Sequence, residues 1–597
     1  MKNKPAKKNT LGSAKIGKQA VPAPLEIDIL VKCFSDGHYE VAKNLALAMT
    51  QTFPLYPFGW KALGVVLQQL GRVSESLIPM QKSVELMPKD AEVHSNLGLA
   101  LSDLGRLEEA EASYRQAIAL KPAFAEAHSN LGNTLRSRGR FEEAEASFRQ
   151  AIAAKPGLAE AHSNLGNVLS DLGRLEEAVA SYRQAIALKP DLAEAHSWLA
   201  KTLRDLGRLE DAEASYRQTR VLNPDSAEAL CNLGLVLSDL GRLEEAEASF
   251  RQAITLKPAF AEAYSDRGIV LSDLGRLEEA EACYRQAIAL KPDYAKAHTN
   301  LGIVLGDLGR LEDAVDSHRQ AIALNPDAAA AHRSLGNTLQ SFGKIEEALC
   351  AYETVLRLNP DDEYIAHLFA ALRGINTERA TNSYVTHVFD GYAEKFESSL
   401  VGQLSYEIPT VIAHRLRSLI SEDRPQWDIL DLGCGTGLVG VELADLAKML
   451  VGIDLSVKML EKARAKNIYH RLVADDIQLA LVKEPNASFD LVVSTDVFIY
   501  IGDLTAIFDG IFQVLRPGGW FAFSVEGIFP AGDERVEDLP GYQLNITARY
   551  SHSLKYLSSF TDSGRFALLD MKIERIRMEN GQPVMGYIVI MQKLPLP

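Results

Sequence analysis

The sequence predicts an α-solenoid followed by an α/β domain that ends in an antiparallel hairpin. Three observations predict it. The first two thirds of the chain repeat with a period of 34 residues. Beyond residue 426, short apolar runs alternate with helical patterns, and the first run leads into Gly433-Cys434-Gly435-Thr436-Gly437. Near the end, Asn580-Gly581 separates two further apolar runs, which is a hairpin signal.

Composition narrows the class before any element is placed. The 597 residues carry a formal net charge of -16, with 47% hydrophobic and 24% charged residues. That is a globular balance, and its acidity argues against a general nucleic-acid binder. Cys33, Cys231, Cys283, Cys350 and Cys434 form no CxxC pair, so no zinc ribbon, disulfide framework or other metal site is expected. Scattered thiols suit a reducing, cytoplasmic location. No apolar run reaches the length of a membrane span. Residues 1–22 hold Lys2, Lys4, Lys7, Lys8, Lys15 and Lys18 and no acid, and lack the apolar core of a secretory signal. They read as a disordered basic tail.

Ten units fill 23–362, beginning at Ala23, Pro57, Ala91, Ala125, Ala159, Ala193, Ala227, Ala261, Ala295 and Ala329. Unit position 15 is glycine throughout, from Gly37 to Gly343, and position 32 is proline, from Pro54 to Pro360. Glycine suits a helix end with positive φ, and proline suits the start of the next helix. Each unit therefore reads as two antiparallel helices. Gly98, Gly132 and Gly166 at position 8, with Ala110, Ala144 and Ala178 at position 20, let the pair approach closely. One pair cannot bury its apolar face alone, so units must stack. Residues 363–374 continue the pattern for one helix and then stop, as a cap would. His94, His128, His162, His196, His298 and His332 share position 4 with Trp60, Leu230 and Tyr264. That company marks a packing slot rather than a metal array.

The length of 34, with Leu at 7, Gly at 8, Ala at 20, an aromatic at 24, Ala at 27 and Pro at 32, resembles the tetratricopeptide repeat. The resemblance implies a right-handed superhelix whose concave groove binds a protein or an extended peptide. In the family, position 6 lines that groove; here it carries Asn96, Asn130, Asn164, Asn232 and Asn300, with Trp198 interrupting the row. A carboxamide donates and accepts, so such a row suits a peptide backbone. The row is similar to that of the O-linked N-acetylglucosamine transferases, although the rest of the chain is not. Position 13 carries Asp103, Asp171, Asp205, Asp239, Asp273 and Asp307, which would favour basic side chains. The alternative for both rows is a set of solvated polar residues kept by repetition.

The composition changes near 375. Residues 375–426 read as a linker with a lid helix, where helical spacing puts Phe389, Tyr392 and Phe396 on one face. Residues 427–597 read as the α/β domain. Residues 426–432 predict a buried strand, and a helix then runs to about 447. Residues 449–453 predict a second strand ending at Asp454, before a helix with Met459, Leu460 and Ala463. Residues 471–474 lead to Asp475-Asp476. Residues 490–494 and 520–525 complete the parallel sheet, and 568–578 with 584–592 form the hairpin. Ligands of such sheets sit outside the carboxyl ends of the strands.

Asp-Leu-Gly-Cys-Gly-Thr-Gly at 431–437, Asp454, Asp475 and Leu-Arg-Pro-Gly-Gly at 515–519 together resemble a class I S-adenosylmethionine-dependent methyltransferase, a Rossmann-like fold, over about 427–593. The resemblance implies S-adenosyl-L-methionine as cofactor. Gly433, Gly435 and Gly437 would clear space for its aminocarboxypropyl group, with Asp431 and Ser494 nearby. Asp454 would accept the ribose hydroxyls, and Leu455 and Met459 would pack on adenine. Asp475 would accept from the adenine amine, with Asp476 open as the alternative. A dinucleotide oxidoreductase is the rival, since Gly435-x-Gly437-x-x-Gly440 fits GxGxxG. The acids and the hairpin argue against it.

Phe-Asp-Gly-Tyr-Ala-Glu-Lys-Phe at 389–396 and Arg549-Tyr550-Ser551-His552-Ser553 resemble bacterial methyltransferases fused to such repeats. On that side His552 is a candidate base, with Arg549 and Tyr556 candidates for holding an anionic acceptor. The expected function is a methyltransferase whose repeats recruit a protein partner. The alternatives are a small-molecule methyltransferase whose repeats serve assembly or location, and a scaffold with a non-catalytic cofactor domain.

Overall fold

The computed structural model describes residues 21–393, 406–420, 426–530, 535–579 and 581–595. Apart from its last two residues, the basic tail lies outside them. The chain divides into two compact units, Met1–Leu290 and Lys291–Pro597.

The first unit is built of helix pairs such as Ala91–Asp103 with Leu107–Leu120, and Ala159–Asp171 with Leu175–Leu188. The position-15 glycines take φ between 72° and 78°, the left-handed turn that ends the first helix of each pair. The close approach at position 8 is tight. A methyl group on Gly98 would sit 2.8 Å from the Tyr114 ring, and one on Gly166 would sit 2.6 Å from Tyr182. The position-4 slot does more than pack. His94, His128, His162 and His196 each hydrogen-bond the carbonyl of the preceding position-32 proline at 2.9–3.1 Å, and the Trp60 indole does the same to Pro54. Proline carbonyls at the inter-unit turn thereby gain a donor. Between successive units, Arg140 pairs with Glu111 and Arg174 with Glu145.

The second unit begins with two more pairs, Ala295–Asp307 with Leu311–Leu324 and Ala329–Ser341 with Ile345–Leu358. The helix Glu363–Arg373, expected as a cap, follows and ends at Gly374 with φ 67°. Then comes one sheet of nine strands among the described residues: β1 Trp427–Leu432, β2 Ala447–Asp454, β3 Arg471–Ala474, β4 Phe489–Ser494, β5 Leu515–Ile528, β6 Tyr542–Leu544, β7 Tyr550–Ser553, β8 Phe566–Glu579 and β9 Gln582–Lys593. Strands β3-β2-β1-β4-β5 run parallel. The terminal hairpin adds β9 antiparallel to β5, with β8 outside it.

Both faces of the central strands β1, β4 and β5 are covered, as a parallel sheet requires. Leu430, Val492 and Phe521 belong to one apolar cluster, while Ile429, Leu491 and Trp520 belong to another. Two details differ from the sequence reading. The helix after the glycine loop is only Leu438–Leu443, and β2 starts at Ala447, because the run from Ala447 pairs beside β1 from its first residue. The second is a small hairpin, β6 with β7, that packs parallel to the end of β5 at Glu526–Ile528. A third apolar cluster joins Leu335, Tyr352, Ile365 and Leu368 to Tyr384, Tyr500 and Tyr550, so it runs through residue 375 without a break. No helix among the described residues is long and apolar enough to cross a membrane.

Candidate functional site

A cavity of about 240 Å³ opens at the carboxyl ends of β1, β2 and β4. The glycine loop forms one wall. The Gly433 and Cys434 N–H groups both donate to the Ile453 carbonyl, at 2.8 and 3.0 Å, which folds the loop back over β2. Gly433, Gly435 and Gly437 all hold positive φ, and a methyl on Gly433 would lie 2.2 Å from Val497. The loop is therefore shaped for glycine by backbone and by space.

Asp454 ends β2 on the next wall. One carboxylate oxygen accepts the Gly435 N–H at 2.8 Å and the other accepts the Ser456 N–H at 2.9 Å. Each oxygen keeps a lone pair for a ligand hydroxyl. Burial pushes this carboxyl above its ordinary value, and the backbone donors oppose the shift. The Thr436 hydroxyl lines the cavity, is buried, and meets no hydrogen-bond partner among the described residues. An unpaired buried hydroxyl beside a glycine cradle fits a polar ligand chain such as an aminocarboxypropyl group. Leu455, Leu438 and Ile477 supply apolar wall for a base.

The two acids after β3 are placed differently. Asp476 is in the cavity wall; Asp475 instead pairs with Lys483 at 2.5 Å. The Asp476 carboxylate caps the helix Ile477–Lys483 through the Gln478 and Leu479 N–H groups and binds Arg379. Burial raises its pKa, but Arg379 and those donors win and hold it below the usual carboxylate range. Asp431 stays behind the loop, where the Tyr469 hydroxyl donates to it at 2.6 Å. Burial, with Asp454 nearby, pushes it up to about 7. Met459 and Ser494 are fully buried away from the cavity; Ser494 donates to the Leu432 carbonyl at 3.0 Å.

Of the three aromatic residues expected on a lid face, Phe389 lines the cavity. The helix Asn382–Tyr392 puts Val385, Val388 and Phe389 on the cavity, and Phe389 meets Tyr500 edge-on at 5.5 Å. Asp390 anchors this helix by accepting the Ser456 hydroxyl at 2.6 Å. The Tyr392 side chain and Phe396 lie outside the described residues.

On the acceptor side, Arg549 is in the wall but His552 and Tyr556 are not. His552, on β7, has 0% exposure, and its Nε2 donates to the Gly502 carbonyl at 3.0 Å. Burial pushes it down to about 4, so it is neutral and enclosed. The Tyr556 hydroxyl accepts the Leu504 N–H at 2.8 Å and donates to Asp503 at 2.9 Å. Both residues pin the 502–504 turn, outside the wall of this cavity. In their place the wall offers Tyr406, Thr495, Asp496, Tyr500 and Arg577. Asp496 holds φ 59°, its N–H bonds the Ser524 hydroxyl at 3.0 Å, and Arg577 lies 3.2 Å from its carboxylate. Arg577 also pairs with Glu526, both almost wholly buried. Asp496 stands two residues beyond the end of β4, on the side where ligands of such sheets sit. Arg577 and Arg379 had no local signature, since each matters only through a distant partner.

In the first unit Asn96, Asn130, Asn164 and Asn232 are half-buried, and Trp198 is 40% exposed. Asp103, Asp171, Asp205, Asp239 and Asp273 are exposed. Arg136 binds Asp171 at 2.6 Å and Arg204 binds Asp239 at 2.5 Å. Lys201 binds Asp205 at 3.3 Å, so charges of the row are met by the repeats' own cations. In the second unit Asn300 is half-buried and Asp307 exposed.

Fold and cavity define a chain in which tetratricopeptide repeats are joined to an S-adenosylmethionine-dependent methyltransferase domain. A family model described as a methyltransferase domain matches 430–523, and tetratricopeptide-repeat models match stretches between 95 and 363. The malonyl-[acyl-carrier protein] O-methyltransferase of Legionella pneumophila is 35% identical over 153 residues, covering 24% of this chain and 51% of that protein. The ubiquinone biosynthesis O-methyltransferase of Paracidovorax citrulli is 31% identical over 140 residues, covering 19% and 57%. The solved tetratricopeptide protein YrrB, described as having an unusual peptide-binding site, matches at 25% identity with a TM-score of 0.27, covering 31% of this chain and 95% of that one. The chain spans about half the length of the curated relatives it matches.

Proposed function

We propose that the protein transfers a methyl group from S-adenosylmethionine to an acceptor, and that its repeats recruit a protein or peptide partner. The glycine cradle beside Asp454 carries the catalytic half of this reading. Asp454 would hold the ribose, Thr436 and the loop N–H groups the aminocarboxypropyl end, and Asp476 with Leu455 and Ile477 the adenine. When bound, the cofactor supplies an electrophilic methyl group. The chain's own work is then to orient the acceptor and exclude water. Phe389 and its helix cover the cavity. Arg549, Tyr500 and Tyr406 would orient the acceptor, and Asp496 offers a carboxylate for an acceptor hydroxyl.

Calorimetric titration of S-adenosylmethionine tests this half. Asp454→Ala should weaken binding by about ten-fold or more, the loss of charge-assisted hydrogen bonds. Equal affinity in both proteins, or none in either, would overturn the reading.

The half-buried asparagines and exposed Trp198 favour groove recruitment of an extended peptide. A small-molecule acceptor is the second reading, favoured by the modest, walled cavity and by relatives named as O-methyltransferases. Labelled-methyl transfer into lysate, separated into protein and small-molecule fractions, decides between them.

A further inference from the structure

The end of the repeats reaches the cavity through one short hairpin. Between β6 and β7 the chain turns tightly: the Ala548 N–H donates to the Asn545 carbonyl, and the Asn545 N–H to the Arg549 carbonyl, both at 2.8 Å. Ala548 holds φ 60°, a left-handed conformation unfavourable for alanine, so something outside the turn must sustain it. The next residue, Arg549, is in the cavity wall.

Three upstream elements hold this turn. The helix Glu363–Arg373 presents His367, 5% exposed, whose Nε2 bonds the Ala548 carbonyl at 3.0 Å. A carbonyl only accepts, so the proton sits on that nitrogen. The ring is wedged against Tyr384 at 4.4 Å between centroids. Asn376 treats β6 as a neighbouring strand would: its amide donates to the Tyr542 carbonyl at 2.9 Å and accepts the Leu544 N–H at 2.8 Å. Thr377 meets the Tyr550 hydroxyl, and Gln340 of the last repeat reaches the Ile546 carbonyl at 3.4 Å. At its other end, Arg549 is fixed by Glu579 at 2.8 Å.

We propose that His367 and Asn376 are positioning residues of the catalytic site, through which the end of the repeats fixes Arg549 on the acceptor side. This rests on the methyltransferase reading for its meaning. Its physical content is that the arginine's backbone is held by the repeat end and its guanidinium by the sheet. Without the His367 donor, the buried Ala548 carbonyl loses its partner and the strained φ relaxes. Arg549, one residue on, then shifts with the turn.

Phenylglyoxal labelling of arginines in the full chain, read peptide by peptide by mass spectrometry, tests this without knowing the acceptor. His367→Phe keeps a ring but loses the donor, and should speed labelling of Arg549 by about five-fold, the equivalent of one hydrogen bond. His367→Gln, which can still donate, should restore the rate to within about two-fold. Asn376→Ala should also speed it. Arg516, paired with Asp428 and Asp490 at the amino ends of β1 and β4, should be unchanged in all three. Unchanged Arg549 labelling in His367→Phe and Asn376→Ala would overturn the proposal. So would Arg516 and Arg549 rising together, which reports general loosening. If the wild-type chain binds no S-adenosylmethionine, the methyltransferase reading falls, while the labelling still decides whether His367 holds Arg549.

Discussion

Gly433 shows how much one position can reveal. Its motif was legible because φ and space both demand glycine, and Gly433→Ala should cost about 1–3 kcal/mol of stability as well as cofactor affinity. Thermal melting and calorimetry would register both losses. His552 was legible as unusual but not as buried, since a polar Ser-His-Ser run carries no mark of the strand that encloses it. His318 is enclosed as well: it fills the aromatic position of its repeat with 0% exposure, and burial pushes it down to about 4. Both folded values lie below the ordinary one near 6.5, so the fold holds the neutral forms. Their contribution is complete above about pH 6.5 and is lost as pH falls toward 4. By pH 5 the loss is about 2 kcal/mol per group. Urea midpoints at pH 7.5 and 5 should show it, and His318→Tyr, restoring the ring found at 114 and 182, should remove its share.

Helix pairs were the most legible elements, because punctuation by glycine and proline fixes their register. Their packing was legible too, at positions 8, 20 and 24. Gly166→Ala should push against Tyr182 and destabilise by about 1–3 kcal/mol, read as a lower melting temperature. The bond from position 4 to the preceding proline was less visible, since a packing slot and a hydrogen-bonding slot accept the same histidine. His128→Ala should cost about 1 kcal/mol through an unsatisfied Pro122 carbonyl. The terminal hairpin could be read from Asn-Gly between apolar runs. The β6–β7 hairpin could not: strands of three and four residues have no periodicity to detect, and they exist because β5 and Asn376 supply their partners.

At the scale of the molecule, the order of repeats and catalytic domain was written in period and motif, whereas shared core membership depends on contacts between distant residues. The cluster from Leu335 to Tyr550 is the instance. A polypeptide of residues 291–597 should unfold in one transition. One of residues 375–597 should melt at a lower temperature and bind a dye for exposed apolar surface, because Tyr384, Tyr500 and Tyr550 lose their cover. Equal melting temperatures would refute this.

That continuous cluster also bears on how such a chain can change length over generations. Copying or deleting a 34-residue unit among the near-identical ones before residue 290 leaves every residue of the cluster in place. Deleting 329–362 removes Leu335, Leu339 and Tyr352 from it. The array is therefore free to drift in size at one end and is anchored at the other, and surviving variants should differ in their early repeats while keeping the last ones intact.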